Sequence, residues 1–164
     1  MNLFILSLSP KECAEMMMDK HIVKIILEAV QMLCTAKHVL DPDNPENSLL
    51  YKMAHKNHPV TIWVRTSYEN YMWTLDLVEE MHREWRYRYG HPDTKFHKSY
   101  AVAKYLRENP PKEFPQKGLT TFARAMPDIY KVDCPVQSYK NYYMSEEKRK
   151  LASWKKRERP GWYV

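Results

Sequence analysis

The alternation of apolar and polar positions predicts a chain of helices behind a short extended start. Leu3-Phe4-Ile5-Leu6 is an apolar run, and residues 2–8 read as an extended segment laid against a core. Ser9-Pro10-Lys11-Glu12 matches a capping box, with Ser9 as N-cap, Pro10 at the first helical position and Glu12 reaching back to the cap. Helical periodicity then runs to about His38, with a break near Asp19. Asp41-Pro42-Asp43-Asn44-Pro45 reads as a loop and Ser48–His55 as a short helix. Pro59 opens the longest helical pattern, which runs to about Arg88 and stops at Gly90. A further helix is expected over His97–Glu108, stopped by Pro110-Pro111. Residues 109–134, with Pro110, Pro111, Pro115 and Pro127, read as a long ordered loop, a kind of segment that often carries function. Pro135 opens a last helix to about Trp154. The expected fold is mainly α: a compact single helical domain over 1–164 with a short extended N-terminal segment.

The segment Asp19–His38 carries the most information. At 100° per residue, His21, Lys24, Glu28, Gln31, Thr35 and His38 fall in one arc, and the rest of the circumference is almost wholly apolar. A confined stripe of this kind lines a cleft, with His and Glu available for proton transfer, or it is a solvated strip stabilised by pairs such as Lys24–Glu28. On the pattern from Pro59, the apolar face of Val60, Trp63, Val64, Tyr71, Leu75, Val78, Met81 and Trp85 is interrupted by Ser67, Asn70 and His82. Asn70 is either a satisfied core amide or a group pointing into the same cleft. His97 and Lys98 flank a loop and could meet phosphate or solvent.

Composition narrows the chemistry. With three glycines, Gly90, Gly118 and Gly161, no glycine-rich phosphate loop exists, which excludes Walker-type and Rossmann-type nucleotide sites. Cys13, Cys34 and Cys134 are odd in number and widely spaced, and read as reduced thiols. His55 and His58 lack an acidic partner nearby, so neither a metal nor a cofactor is expected. No run approaches the length of a membrane span.

The net charge is +6, and residues 140–164 hold eight Lys or Arg against three Glu, interleaved with aromatics. Lys140, Tyr142, Tyr143, Lys148, Arg149, Lys155, Lys156 and Arg157 are the candidate nucleic-acid contacts: cations for phosphates beside rings for bases. The alternative is a solvated helix whose aromatic residues anchor the tail.

Two resemblances follow from the motifs. Asp19-Lys20-His21, Asn57-His58-Pro59 with Trp63, Arg65, Ser67 and Asn70, His97-Lys98-Ser99 and Ala125-Met126-Pro127-Asp128 resemble a family of small uncharacterised proteins from tailed phages and large DNA viruses. That resemblance implies a virus-encoded protein in the host cytoplasm. The N-terminal half also resembles the pyrimidine-dimer DNA glycosylases of the endonuclease V type, which are small, basic and all-α. Asp19, His21 and Glu28 have that family's Asp-x-His spacing with a Glu seven residues after the His. His58-Pro59-Val60-Thr61 resembles its His-Val-Thr, and Tyr139-Lys140-Asn141-Tyr142-Tyr143 its aromatic C-terminal string. The family's arginines immediately before and three after the Glu are Leu27 and Gln31 here.

The second resemblance implies an N-terminal α-amine that attacks the sugar C1′, a Glu28 that stabilises the developing positive charge, and a His21 that contacts substrate. Asn2 is large, so the amine is expected on a retained Met1. Catalytic candidates are thus Glu28, His21 and Met1, and substrate-binding candidates Lys24, Gln31, Asn70, His58, His97 and Lys98. The expected function is base excision of damaged or modified pyrimidines from double-stranded DNA, by a monomer or weak homo-oligomer. The alternatives are a non-enzymatic viral nucleic-acid-binding or host-takeover protein and a metal-free enzyme acting on free nucleotides.

Overall fold

Seven helices and no strand form from this pattern in the computed structural model, which describes residues 1–164. They are α1 (Pro10–Met16), α2 (Asp19–Leu40), α3 (Pro59–Thr66), α4 (Tyr68–Tyr89), α5 (Tyr100–Glu108), α6 (Pro135–Tyr143) and α7 (Glu146–Arg149). The fold is mainly α, and none of its helices is long and apolar enough to cross a membrane. α2 packs against α4, with α1 against α4 and α3 against both. Leu3 to Leu6, α2, α4, Tyr139, Tyr143 and Tyr163 share one buried apolar cluster, so both ends of the chain are pinned to the same core.

The helix starts and stops follow local hydrogen bonding. Ser9 caps α1 by accepting from Glu12 N. Glu12 does not reach back to the cap as expected. Its carboxylate takes the Ser7 hydroxyl (2.9 Å), and Ser7 Oγ accepts from Ser9 N.

The long pattern from Pro59 is two helices broken at Ser67, which has extended backbone angles. Ser67 Oγ takes Asn70 N (3.0 Å), the donor that Thr66 O would use in a continuous helix, and Thr66 O accepts from Gln116 N instead. Periodicity is blind to this break because the apolar face continues through it.

The helix expected over Ser48–His55 is absent. A 3₁₀ turn covers Pro45–Leu49, and the following chain is held by side chains of α2. Thr35 Oγ1 bonds both Ala54 N and Ala54 O, and His38 bonds Tyr51 O. α5 starts at Tyr100, later than expected, because His97 N donates to His82 Nε2 and Ser99 N to His97 Nδ1. The expected Pro135–Trp154 helix is cut at Tyr143, and Ser145 caps the short α7.

The C-terminal segment beyond α7 is irregular but fastened. Asp19 accepts from Ser153 Oγ (2.8 Å), Lys155 N (2.9 Å) and Arg88 Nη1 (3.1 Å), and Asp19 N donates to Ser153 O. Arg88 is buried and also donates to Met17 O, Ala14 O and Glu15 O. Trp154 Nε1 donates to Met16 O, and Arg157 pairs with the buried Glu84 (2.8 Å).

Removing one partner of a buried, hydrogen-bonded ion pair strands the other charge. Asp19→Ala should therefore destabilise the fold by about 3–5 kcal/mol in urea unfolding. In limited proteolysis it should open residues 150–157 to cleavage, which a loss of stability without release of the tail would not do selectively.

Candidate active site

α2 forms one wall of the site. His21, Lys24 and Glu28 line a cavity of about 690 Å³, a volume suited to a nucleotide-sized ligand. The opposite wall comes from the chain start (Met1, Asn2, Phe4), His58 and Pro59, the long loop (Arg124, Ala125, Met126, Lys131), and Tyr142 and Lys148 of α6 and α7.

The chain start is seated by its own side chains. Asn2 Nδ2 donates to Ala125 O (2.8 Å), and its Oδ1 accepts from Leu3 N and Phe4 N. Phe4 then takes a left-handed backbone (φ 55°), a conformation that costs a bulky residue about 1–3 kcal/mol. Cys13 holds it there by donating Sγ–H to Phe4 O and accepting from Leu6 N. This bend places the Met1 amine 3.2 Å from Glu28 Oε1, in a pair that is 5% and 14% exposed. Glu28 Oε2 is buried with no protein hydrogen-bond partner.

His21 stacks on Phe4 with centroids 4.1 Å apart. Tyr143 Oη accepts from Met18 N, so its hydroxyl proton goes to His21 Nδ1 (2.7 Å). His21 is thereby a neutral ring with its proton on Nε2. Burial, then the charges of Lys148 and Lys24, push its pKa down to about 3. The ring can offer substrate one N–H but no positive charge.

His58 accepts from Val60 N through Nδ1 as the cap of α3. Burial and the adjacent N-terminal amine lower its pKa. Burial also lowers the Lys148 ammonium, with Glu147 opposing.

Five cationic side chains (Lys20, Lys24, Arg124, Lys131, Lys148) line the cavity against one carboxylate, Glu28. The cations absent at Leu27 and Gln31 are thus supplied from the first turns of α2, the long loop and α7. Lys20, Arg124, Lys131 and Phe4 were not singled out by sequence. The proline-rich loop pointed to its own region, but nothing in it marked the two cations.

Several candidates lie elsewhere. Gln31, His97 and Lys98 do not line the cavity. Asn70 is fully buried and bridges α4 to the long loop: Nδ2 donates to Trp63 O and Thr120 Oγ1, and Oδ1 accepts from Thr120 N. Tyr143 is fully buried behind His21, where no nucleic acid can reach it.

Several cations of the expected basic strip have partners within the chain, while Arg149, Lys155 and Lys156 stay exposed. Arg149 donates to Met144 O and Val164 O, Arg157 binds Glu84, Lys155 stands over Tyr89, Lys156 over Tyr87 and Lys140 over Trp162. Lys148 and Tyr142 are the two candidates from that strip that reach the cavity. No group of three or more His, Cys, Asp or Glu is placed to hold a metal ion.

The neutral state of His21 makes a pH prediction. The unfolded chain protonates this histidine below about 6.5, while the folded site resists protonation down to about 3. Stability is therefore lost as pH falls through 6.5, by about 2 kcal/mol from this group at about pH 5. Urea unfolding at about pH 7.5 and pH 5 should show that loss in the wild type. His21→Gln should make the difference smaller by about that amount.

Residues 1–98 match the family described as pyrimidine dimer DNA glycosylase, and the matched span contains Met1, His21, Lys24, Glu28 and His58. Comparison with curated proteins and with solved structures yields no match. The match covers more than half of the chain and the whole of the α2 wall, and on that ground the chain belongs to the pyrimidine dimer DNA glycosylase family.

Proposed function

We propose that this protein excises damaged pyrimidine bases from duplex DNA, with the Met1 amine as nucleophile and Glu28 as the catalytic carboxylate. The observation that carries the reading is the 3.2 Å amine–carboxylate pair inside a cavity whose other charged side chains are all cations. Glu28 is placed to take a proton from the Met1 amine, which leaves the nitrogen with a lone pair for attack. The freed lone pair attacks C1′ of the sugar. The C1′–N bond to the base breaks, its electron pair leaves with the base, and the base takes up the proton that Glu28 had accepted, which restores the carboxylate. The attached nitrogen then passes a proton to O4′, its lone pair forms the C1′=N iminium as the C1′–O4′ bond breaks, and the restored Glu28 carboxylate faces that positive charge.

Lys20, Lys24 and Lys148 serve the flanking phosphates, and His21 donates one neutral hydrogen bond. Arg157 is less available to a phosphate than Lys148, because it is paired with the buried Glu84.

The test is base release and strand cleavage on UV-irradiated duplex. Glu28→Gln preserves shape and removes the charge, and should lower the single-turnover rate by about 10²–10⁴-fold while leaving DNA affinity within a few-fold. An unchanged rate, or no base release by the wild type, overturns the reading.

A further inference from the structure

The turn that carries Ile129 belongs to the cavity rim and has no part in the chemistry above. Met126 before it and Lys131 after it both line the cavity, and the Tyr130 ring lies 5.5 Å from that of Tyr142, a further lining residue. Between them Ile129 is 83% exposed, the most exposed of the large apolar side chains.

This exposure does not come from a slack loop. Asp128–Tyr130 form a single 3₁₀ turn after Pro127, with Tyr130 N donating to Pro127 O (3.1 Å) and Lys131 N to Asp128 O (3.0 Å). Asn141 Nδ2 of α6 donates to Tyr130 O (3.2 Å), and Arg124 Nη1 to Val132 O (2.8 Å). Ser138 Oγ of α6 accepts from Val132 N (2.9 Å). The backbone around Ile129 is thus gripped by α6 and by the long loop, while its side chain is left in solvent.

The charges beside the tip are those of a phosphate-facing surface. Residues 124–132 hold two cations, Arg124 and Lys131, against one carboxylate, Asp128. Lys131 Nζ pairs with that carboxylate (3.0 Å), and both cations also line the cavity. An isoleucine has no polar atom to satisfy, so it can exchange water for the faces of stacked bases without leaving a hydrogen bond unmade.

We propose that Ile129 is a wedge that enters the base stack of duplex DNA beside the site of excision, with Arg124 and Lys131 on the neighbouring phosphates. A base reaches an enclosed site only by leaving its stack, and an apolar side chain driven into the step lowers the cost of that departure. The rigid turn matters here, because a mobile tip would yield before the stack does. The wedge rests on the base-excision reading for its substrate, but its test needs no base release and no cut strand.

The probe is a duplex carrying 2-aminopurine beside a stable abasic analogue, its fluorescence rising when the 2-aminopurine unstacks. Saturation with the wild-type protein should give that rise. Ile129→Ala should lose most of it and bind about tenfold more weakly, and Ile129→Leu should restore both. An apolar contact outside the stack would weaken binding without changing the fluorescence reached at saturation. The unfolding midpoint of Ile129→Ala should match the wild type, since the side chain lies in solvent.

No rise with the wild type at saturation, or an equal saturating rise with Ile129→Ala, overturns the wedge. Either result leaves the base-release assay on UV-irradiated duplex free to succeed. Conversely, a rise lost in Ile129→Ala and regained in Ile129→Leu supports the wedge even where that assay fails.

Discussion

Asp19 and Arg88 meet in the interior, and almost every feature of the site is referred to that contact. Arg88 reaches from α4 to the carbonyls that end α1 and to the carboxylate that begins α2. The same carboxylate takes Ser153 Oγ and Lys155 N from the C-terminal segment. Two buried charges are costly, and they are tolerated because hydrogen bonds surround them on both sides. Asp19 also lies at a helix N-terminus, where its charge suits the helix dipole. This one pair sets where α2 starts, and therefore which direction His21 and Glu28 face. It also anchors the tail that follows α7, the element that carries Lys148.

The site is then assembled from parts that are distant in sequence. α2 supplies the carboxylate, the bent chain start supplies the amine, and α7 and the long loop supply cations. The strain at Phe4 belongs to this arrangement: without the left-handed turn, the chain start would not bring its amine to Glu28 and its ring against His21. Chemistry and packing share the same few residues, because Asn2 and Cys13 hold the turn while Tyr143 fixes the tautomer of His21.

How legible this was in the sequence depended on how local the deciding interaction is. The α2 stripe was visible, since helix geometry alone puts His21, Lys24 and Glu28 together. Its other half was not: Thr35 and His38 sit in the same arc but clamp residues 51–54, a tertiary contact that periodicity does not carry. The break at Ser67 was hidden by a continuous apolar face. Counting charges in the basic tail does not show partners: Arg157 pairs with the buried Glu84, while Lys155 and Lys156 stay exposed beside surface rings. Arg124 and Lys131 had no local signature, since an irregular loop has no period to betray a face. Asn70 had been weighed between core and cleft, and the nearby Thr120 decided for the core.

The central claim is that the Met1 amine, paired with Glu28, is the group that bonds to the sugar. The most direct measurement is to reduce a reaction on UV-irradiated duplex with borohydride, digest the trapped protein, and locate the sugar remnant by mass spectrometry. The account predicts the remnant on the α-amine of the N-terminal peptide, with every lysine unmodified. A remnant on Lys24 or Lys148, or an adduct of undiminished yield after the α-amine has been blocked, would contradict it.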